Sequence, residues 1–328
     1  MSDIVVLTTS YPEFRGDAQG HFVAAEVKRL ALEQRVTVLA PGRARASLGA
    51  ERVVGLPGGD AFGFPGALER LRERPSRSWA ALRFGESALR WLRRERPRRV
   101  IAHFLLPCGV PIATRGLARG SELEIVVHGS DARLFVKLAG RAWLGRELVR
   151  SGARLRFVSS ELRDALLGSL PGSLQRELAP RSSVAPCAID VERVPAQSDA
   201  RRELAIGAEE RVAVIVARLV AGKRVDVALE ACARIEGLSV VVVGEGPERE
   251  RLERRFPRAR FVGQVARPQA LAYLSAADVL VSASLLEGAP TVVREARALG
   301  TPVICLPAGD LTAWAAADAG IHVVGLVR

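Results

Sequence analysis

The sequence predicts an α/β protein made of two doubly wound domains, each a parallel sheet covered by helices on both faces. The chain has 328 residues, which is more than one hydrophobic core usually supports. Short, β-branched apolar segments alternate with amphipathic helical segments along its whole length. The apolar segments lack the alternation of half-exposed strands, which indicates parallel strands buried on both faces. A polar, proline-containing stretch at 186–199 separates the predicted domains, 1–190 and 191–328.

The same periodicity predicts the individual elements. The strands of the N-terminal domain are predicted at Ile4–Leu7, Val36–Ala40, Val100–His103, Ile125–His128 and Leu155–Val158. Those of the C-terminal domain are predicted at Val212–Ala217, Val240–Val243, Arg260–Val262, Val279–Val281 and Val303–Cys305. The clearest helical segments are Gly20–Glu33, Ser78–Arg94, Arg224–Ile235, Glu248–Phe256 and Pro268–Ala276. In open parallel sheets ligands bind at the carboxyl ends of the strands, so polar residues there are the first candidates for function.

Composition narrows the class of protein. Hydrophobic residues make up 48% of the chain, which is enough for a large core. No apolar run reaches the ~18 residues of a membrane span, and the first residues lack the basic segment of a signal peptide. The four cysteines are isolated, without the spacing of a zinc site, and are predicted to be reduced thiols in a cytoplasmic protein. No metal site is predicted.

The net charge of +12 suggests an anionic partner. Nearly all of the positive charge is arginine, and Lys28, Lys137 and Lys223 are the only lysines. Aromatic residues make up 5% of the chain and are not interleaved with basic ones as in a base-stacking surface. We therefore predict an anionic membrane surface or an anionic small ligand, and no nucleic acid.

Two glutamates in the C-terminal domain stand eight positions apart, Glu287 and Glu295, with Gly288 and Ala289 in the turn between them. An apolar strand precedes them, so Glu287 is predicted in the loop at that strand's carboxyl end and Glu295 about two turns into the next helix. Such carboxylates can accept paired hydrogen bonds from the vicinal hydroxyls of ribose or hexose rings. The alternative is a helix N-terminal charge and one solvated glutamate.

Arg218 and Lys223 follow the first strand of the C-terminal domain, where an anion would dock. The next helix begins near Arg224 and adds its positive end. The alternative is two solvated basic residues in a strand–helix turn. Taken alone, this turn is more typical of the solvated pair.

Gly244 and Gly246 follow the next strand in a glycine-rich turn that leads into a helix. The turn is not a P-loop, because no Gly-Lys-Ser/Thr follows. It also fails as a dinucleotide fingerprint, because Arg249 stands where the third glycine would be. The turn predicts backbone close to a nucleotide, with a plain tight turn as the equal alternative.

The strands of the N-terminal domain also end in polar residues. A loop with Gly16 follows the first strand and leads to His21 at the start of a helix, and its amides can cap a phosphate. His128 is expected at a strand's carboxyl end, facing the ligand, while Asp131 is expected to cap the next helix. His103 ends the preceding strand in the same way, with a satisfied structural histidine as the alternative.

In this combination the motifs resemble those of the retaining glycosyltransferases of family 4, the glycosyl transferases group 1, which have the GT-B fold. The likeness extends from residue 1 to about Val303. The matching residues are Glu287 and Glu295 for the Glu-x7-Glu motif, Arg218 and Lys223 for the basic pair, Gly244 and Gly246 for the second glycine motif, and His128 for the first-domain histidine.

The resemblance implies a nucleotide-diphosphate sugar donor bound by the C-terminal domain, an acceptor bound mainly by the N-terminal domain, and a cleft between two facing sheets. The reaction that the resemblance implies needs no metal or other cofactor. The predicted catalytic residues are His128, Arg218, Lys223 and Glu287. The predicted donor-binding residues are Gly16, Gly244, Gly246, Gly263, Gly288, Ala289 and Glu295. The predicted acceptor-binding residues are His21 and His103.

By the same implication the basic pair holds the diphosphate, Glu295 takes the ribose hydroxyls and Glu287 takes the hydroxyls of the transferred sugar. The Gly-Gly-x-x-Glu expected after the last strand is reduced to Ala308-Gly309-Asp310. The C-terminal domain is therefore predicted to be shorter than usual, as if truncated.

The sequence thus predicts a bacterial, retaining glycosyltransferase that moves a sugar to a glycan or lipid-linked acceptor in cell-surface polysaccharide synthesis. The alternative is a non-catalytic relative that binds nucleotide sugar or partners another transferase. An epimerase on this fold would need an acid/base pair that the sequence does not reveal. Basic amphipathic stretches at 68–75 and 87–99 indicate solvated helix faces or docking to an anionic leaflet, which predicts peripheral association with the inner face of the membrane.

Overall fold

The computed structural model describes residues 3–42, 47–63, 70, 74–116, 120–191 and 194–325. The chain divides into two compact units, Met1–Ala188 and Ile189–Arg328, called below the N-terminal and C-terminal units. The sequence placed the boundary between residues 190 and 191. The roles predicted for the two parts in acceptor and donor binding stay predictions.

The N-terminal unit contains a parallel sheet. Its strands are β1 (Ile4–Leu7), β2 (Val36–Pro41), β3 (Arg52–Leu56), β4 (Arg99–His103), β5 (Glu122–Val127), β6 (Arg154–Phe157) and β7 (Ser182–Val184). They lie side by side in the order β3-β2-β1-β4-β5-β6-β7. Its helices are α1 (His21–Leu30), α2 (Arg77–Glu95), α3 (Val110–Thr114), α4 (Ser130–Lys137), α5 (Arg141–Arg150), α6 (Ser160–Gly168) and α7 (Gly172–Leu178).

The C-terminal unit repeats this architecture with a second parallel sheet. Its strands are β8 (Arg211–Val216), β9 (Leu238–Val243), β10 (Arg260–Gly263), β11 (Val279–Ser282), β12 (Val303–Cys305) and β13 (Ile321–Val323). They lie in the order β10-β9-β8-β11-β12-β13. Its helices are α8 (Gln197–Glu203), α9 (Val225–Ala233), α10 (Arg249–Arg255), α11 (Arg267–Ala276), α12 (Thr291–Ala298) and α13 (Leu311–Ala317).

The first strand of each unit lies at the centre of its sheet and is buried on both faces. All four residues of β1 are buried, and β1 pairs with β2 on one side and β4 on the other. In β8 the run Val212–Ile215 is buried in the same way, between β9 and β11. Such continuous apolar runs are typical of parallel strands, because side chains that point to either face meet a covering helix. The prediction of two parallel-sheet α/β units is confirmed.

In each sheet the strand order reverses beside the central strand. The reversal lies between β1 and β4 in the N-terminal unit and between β8 and β11 in the C-terminal unit. Loops that leave two such strands diverge to opposite faces of the sheet and open a crevice, which is where ligands bind in open α/β sheets. The topology therefore directs the search for a site to the loops after these four strands.

Three strands were not predicted from the sequence: β3, β7 and β13. Each lies at an edge of its sheet. The residues of β7 are half-buried or exposed, and β13 pairs only with β12 through three residues. Short edge strands need few apolar residues, so they carry a weak pattern. The ten predicted strands are all present.

None of the helices in the described ranges combines the length with the apolar composition needed to cross a bilayer. The longest, α2, has 19 residues, many of them arginine.

Candidate functional site

In the C-terminal unit, Lys223 and Glu287 form an ion pair at the point where the strand order reverses. Lys223 lies in the loop after β8, and Glu287 in the loop after β11. The Lys223 Nζ donates to Glu287 Oε1 at 2.5 Å, and both side chains are largely buried. The loops are also joined through their backbones, because the amide of Leu285 donates to the carbonyl of Gly222. Two predicted site residues, from segments 64 positions apart, are thus in direct contact.

The segment around Glu287 rests on a glycine that the sequence analysis treated as a departure from the family pattern. Gly309 has a φ of +56°, and a Cβ added there would approach the carbonyl oxygens of Gly288 and Glu287 to 2.7 and 2.9 Å. Gly288 is buried, and Ala289 is half-buried. The turn at Gly309 therefore supports the backbone that carries Glu287, and only a residue without a side chain fits there.

Gly244 and Gly246 bring the loop after β9 against the loop after β8. A Cβ on Gly244 would lie 1.9 Å from the carbonyl oxygen of Ala217, and one on Gly246 would lie 2.3 Å from that of Leu219. Between them the amide of Leu219 donates to the carbonyl of Glu245 at 2.8 Å. The glycines are thus explained by the close approach of two backbones. Direct contact of these glycines with a nucleotide stays a prediction.

Two predicted residues lie close to this glycine turn. Arg218 is exposed and lies between the two residues whose backbones the glycines contact. Gly263, at the end of β10, has a φ of +76° and accepts a hydrogen bond from the amide of Gly244 at 2.8 Å. The loops after β8, β9 and β10 are therefore connected through backbone hydrogen bonds. The donor-binding roles of both residues stay predictions.

Glu295 lies in α12 and is buried, with 5% of its surface exposed. Its partner is Arg267, the first residue of α11, whose Nη1 donates to Glu295 Oε1 at 2.8 Å. The Nη2 of Arg267 donates to the carbonyl of Asp190 at 2.8 Å. Arg267 was not predicted as a site residue from the sequence, because it is one of many arginines and belongs to no motif. A buried glutamate is usually paired with a cation, so burial of Glu295 was the one sign that an arginine would contact it.

In the N-terminal unit, His103 and His128 contact each other at the carboxyl ends of the neighbouring strands β4 and β5. His103 is the last residue of β4 and is fully buried, whereas His128 follows β5 and is half-buried. His103 Nδ1 and His128 Nε2 are 3.0 Å apart and share a hydrogen bond. The rings of Phe22 and Phe104 also contact His128, with centroids 5.1 and 4.5 Å from it. The full burial of His103 favours the alternative of a structural histidine, and its acceptor-binding role stays a prediction.

Both imidazoles are neutral in the folded protein. Burial, with the added effect of the Arg156 charge, lowers the pKa of His128 to about 3. Burial also holds the pKa of His103 well below its usual value, and His128 and Arg156 lower it further. A neutral imidazole can donate one hydrogen bond and accept another, which suits contact with a sugar hydroxyl.

Asp131 fixes the backbone around His128. Its carboxylate accepts hydrogen bonds from the amides of Leu105 at 2.6 Å, Gly129 at 2.8 Å and His128 at 3.1 Å. Burial raises the pKa of Asp131, and the backbone donors oppose this shift. The sequence predicted a cap for α4. The residue lies in the first turn of α4 instead, and it ties together the loops after β4 and β5.

The loop after β1 is held in one conformation by its own polar groups. Asp17 accepts from the amides of Glu13 and Gln19, each at 2.9 Å. Gly16 lies within this turn with a φ of +94°. His21 is half-buried at the start of α1, and its Nδ1 donates to the carbonyl of Ala18 at 2.7 Å. The predicted phosphate contact of Gly16 and acceptor contact of His21 stay predictions.

One group of side chains has the residue types of a metal site. Ligand atoms of His103, His128 and Cys187 lie within 4.8 Å of one another. The two facing imidazole nitrogens are occupied by their shared hydrogen bond, and the rings, inclined at 23°, meet edge to edge instead of converging. His103 Nε2 is buried without a hydrogen-bond partner, whereas metal-bound histidines usually donate their second N–H to an acceptor. These residues therefore do not fit a preformed metal site.

Comparison with known proteins identifies the class. Residues 196–322 match the sequence profile of the family described as "Glycosyl transferases group 1". Most of the C-terminal unit thus matches this family, and the predicted resemblance to the glycosyl transferases group 1 is confirmed.

Among individual proteins, the chain is similar to the "Putative teichuronic acid biosynthesis glycosyltransferase TuaC" of Bacillus subtilis (strain 168). The two are 31% identical over 222 residues, which cover 66% of this chain and 54% of the relative. The chain therefore spans about half the length of that protein.

Solved structures establish the fold of both units. A sucrose-phosphate synthase from Thermosynechococcus elongatus has a TM-score of 0.73 and 18% identity, covering 99% of this chain and 86% of its own. WaaG, a glycosyltransferase involved in lipopolysaccharide biosynthesis, has a TM-score of 0.65 and 15% identity, covering 98% and 85%. Anabaena HepE in complex with UDP-glucose has a TM-score of 0.65 and 16% identity, covering 95% and 82%. The prediction of Rossmann-like units with GT-B glycosyltransferases as relatives is confirmed.

Proposed function

We propose that the protein transfers a sugar, with retention of anomeric configuration, from a nucleotide-diphosphate sugar to a glycan or lipid-linked acceptor. The observation that carries this proposal is the ion pair between Lys223 and Glu287 where the strand order reverses in a glycosyltransferase-family unit. A cation and a carboxylate side by side match the two chemically different parts of such a donor, the diphosphate and the sugar hydroxyls.

The difficult step is departure of the diphosphate from the anomeric carbon, which becomes cation-like. Lys223 and Arg218 supply positive charge to the leaving oxygens, so the reaction we propose uses no metal. Loss of one such preorganised partner typically costs ~3 kcal/mol, on the order of a hundredfold in rate. The acceptor hydroxyl attacks from the side on which the diphosphate leaves, and its proton passes to a leaving phosphate oxygen.

The remaining predicted residues bind the two rings of the donor. Glu287 accepts from hydroxyls of the transferred sugar, and Glu295 accepts from the ribose hydroxyls. The neutral His128 lies beside the transferred sugar, and the amide of Gly16 contacts the distal phosphate. The solved complex of HepE with UDP-glucose supports a nucleotide sugar as the donor, because that protein shares the fold.

The test is a transferase and donor-hydrolysis assay after a thermal-shift screen against UDP-, GDP- and ADP-sugars. We expect Lys223→Ala and Glu287→Gln each to lower kcat by about a hundredfold or more. Lys137→Ala is the matched control, because Lys137 is exposed at the end of α4. Unaltered turnover in both site variants would refute the assignment, and donor-induced stabilisation without any product would favour a non-catalytic relative. NMR of the product decides between retention and inversion.

We further propose that the protein works in the cytoplasm, at the inner face of the cell membrane. The exposed face of α2 begins with Trp79 and Leu82, which are 71% and 60% exposed, and continues with Arg83 and Arg90. Apolar side chains beside arginines suit insertion at an anionic lipid surface. Of the other predicted stretch, 68–75, most residues lie outside those that the structure describes.

Flotation with phosphatidylglycerol-containing and purely zwitterionic vesicles tests this surface. We expect binding to the anionic vesicles at low salt, and loss of binding in Trp79→Ala/Leu82→Ala. Ile235→Ala, which removes an exposed apolar residue of the C-terminal unit, is expected to bind normally. Absence of wild-type binding at low salt would end this part of the proposal and leave the transferase assignment untouched.

A further inference from the structure

Arg267 connects the buried carboxylate of Glu295 to the start of the C-terminal unit. Its guanidinium uses two nitrogens for two separate segments, Nη1 for Glu295 Oε1 and Nη2 for the carbonyl of Asp190, both at 2.8 Å. The arginine side chain is itself largely buried. A guanidinium can satisfy two acceptors in a fixed plane, which the single ammonium of a lysine does not do.

The surroundings of Glu295 make this contact important. The neighbouring residues Val293 and Ala296 of α12 are fully buried, so the carboxylate lies at the edge of an apolar core. A carboxylate in such a place is charged only when a cation or several donors compensate for its lost hydration. Arg267 is the cation whose contact with Glu295 the structure provides.

We propose that Arg267 is the positioning residue of the ribose site, fixing the plane of the Glu295 carboxylate toward the 2′- and 3′-hydroxyls of the donor. This inference rests on the proposed function, because it takes Glu295 as the ribose-binding residue. An ionised carboxylate accepts from two vicinal hydroxyls, whereas a protonated one loses part of this capacity. Arg267 acts through Glu295 and is assigned no contact with the reacting atoms.

The second hydrogen bond of Arg267 extends this role to the segment that opens the C-terminal unit. Asp190 follows the boundary at residue 188 by two positions. One guanidinium therefore holds both the Glu295 carboxylate and this segment.

The chain offers a matched arginine that lacks such a connection. Arg297 lies two positions after Glu295 on the same helix and forms a bidentate pair with Asp318, at 2.9 and 3.0 Å. It also donates to the carbonyl of Thr301. Arg297 thus makes a comparable set of bonds around a carboxylate that carries no predicted ligand role.

The experiment measures binding of UDP, GDP and ADP and of their 2′,3′-dideoxy analogues by isothermal titration calorimetry. For whichever base binds, the ratio of the two dissociation constants reports recognition of the ribose hydroxyls. We expect Arg267→Gln to reduce this ratio on the order of tenfold relative to wild type, as Glu295→Gln does. Arg297→Gln is expected to lower the melting temperature and keep the wild-type ratio.

The conservative variant separates positioning from a purely structural role. Arg267→Lys retains the charge but not both hydrogen bonds, so its ratio is expected to fall between those of wild type and Arg267→Gln. A purely structural role would lower the melting temperature and leave the ratio unchanged. Arg267→Lys also provides the readout if Arg267→Gln does not fold.

The outcomes are distinguishable. If no nucleoside diphosphate binds the wild type, or if Glu295→Gln keeps the wild-type ratio, the donor assignment under the proposed function fails. If Glu295→Gln reduces the ratio while Arg267→Gln, or Arg267→Lys in its place, does not, the role of Arg267 is refuted and the proposed function stands. A ratio that Arg297→Gln reduces as much as Arg267→Gln does would likewise overturn the positioning role.

Discussion

The two sheets have the same topology around their central strands, but the side chains at the points of reversal differ in charge. In the N-terminal unit the residues beside that point, at the ends of β4 and β5, are His103 and His128, whose pKa values are lowered so that both rings are neutral. In the C-terminal unit Lys223 and Glu287 form an ion pair. We call the strand ends with His103 and His128 the neutral edge, and the loops with Lys223 and Glu287 the charged edge.

Burial and a nearby charge account for the neutral edge. Burial disfavours a charged imidazole, and the Arg156 charge lowers both pKa values further. At the charged edge the side chains of the two loops neutralise each other. We expect the charged edge to hold the phosphates of a nucleotide-sugar donor.

The largest expected effect concerns the backbone that shapes the charged edge. We expect Gly244→Ala to destabilise the C-terminal unit by about 3 kcal/mol or more, because the new Cβ would lie 1.9 Å from the Ala217 carbonyl oxygen. Urea denaturation followed by circular dichroism measures this. Gly222→Ala is the control, since a Cβ there meets nothing within 4 Å. Equal stability of the two variants would contradict the close approach.

The corresponding variant of the neutral edge is Asp131→Ala. It removes the acceptor of three backbone amides, among them those of Leu105 and Gly129, and we expect a loss of about 2–3 kcal/mol. Asp164→Ala, which alters an exposed carboxylate on α6, should change stability by less than about 0.5 kcal/mol. If Asp131→Ala melts like wild type, the two loops are held together by other contacts.

Acid should affect the neutral edge through His128. Because the folded-state pKa is about 3 and the unfolded value is ~6.5, the unfolded chain binds more protons between these values, so stability falls as the pH drops below about 6.5. We expect His128→Gln to reduce the slope of the free energy of unfolding against pH by at most about 1.4 kcal/mol per pH unit. Denaturant titrations at several pH values measure the slope. Parallel slopes for both proteins would show that His128 is hydrated in solution.

The smallest expected effect would show what the ion pair is for. Replacing Lys223 and Glu287 together by Met should change the free energy of unfolding by about 1 kcal/mol or less, since apolar replacement of a buried pair is often neutral. Transfer activity should be lost in the same protein. A large loss of stability would mean that the pair holds the loops together and is not reserved for a ligand.

The sequence was sufficient for the central strands, because continuous apolar runs such as Ile4–Leu7 have one simple explanation. It also predicted that Lys223 and Glu287 would lie at one sheet edge, since parallel strands end on the same side. It did not reveal Arg267 or the support from Gly309, because both depend on which distant segment packs against them. The sequence left two alternatives open for His103 for the same reason: a strand's last residue can point toward ligand or core.

The self-pairing of Lys223 and Glu287 has a consequence for selectivity among anions. A bare inorganic phosphate that approaches the ammonium must separate it from the carboxylate and offers that carboxylate nothing in return. A nucleotide sugar brings hydroxyls that donate to the Glu287 carboxylate while its phosphates contact Lys223, so both partners of the broken ion pair gain a new contact. We therefore expect the abundant small anions of a cell to compete poorly for this position, which protects a sparse, costly substrate from being crowded out.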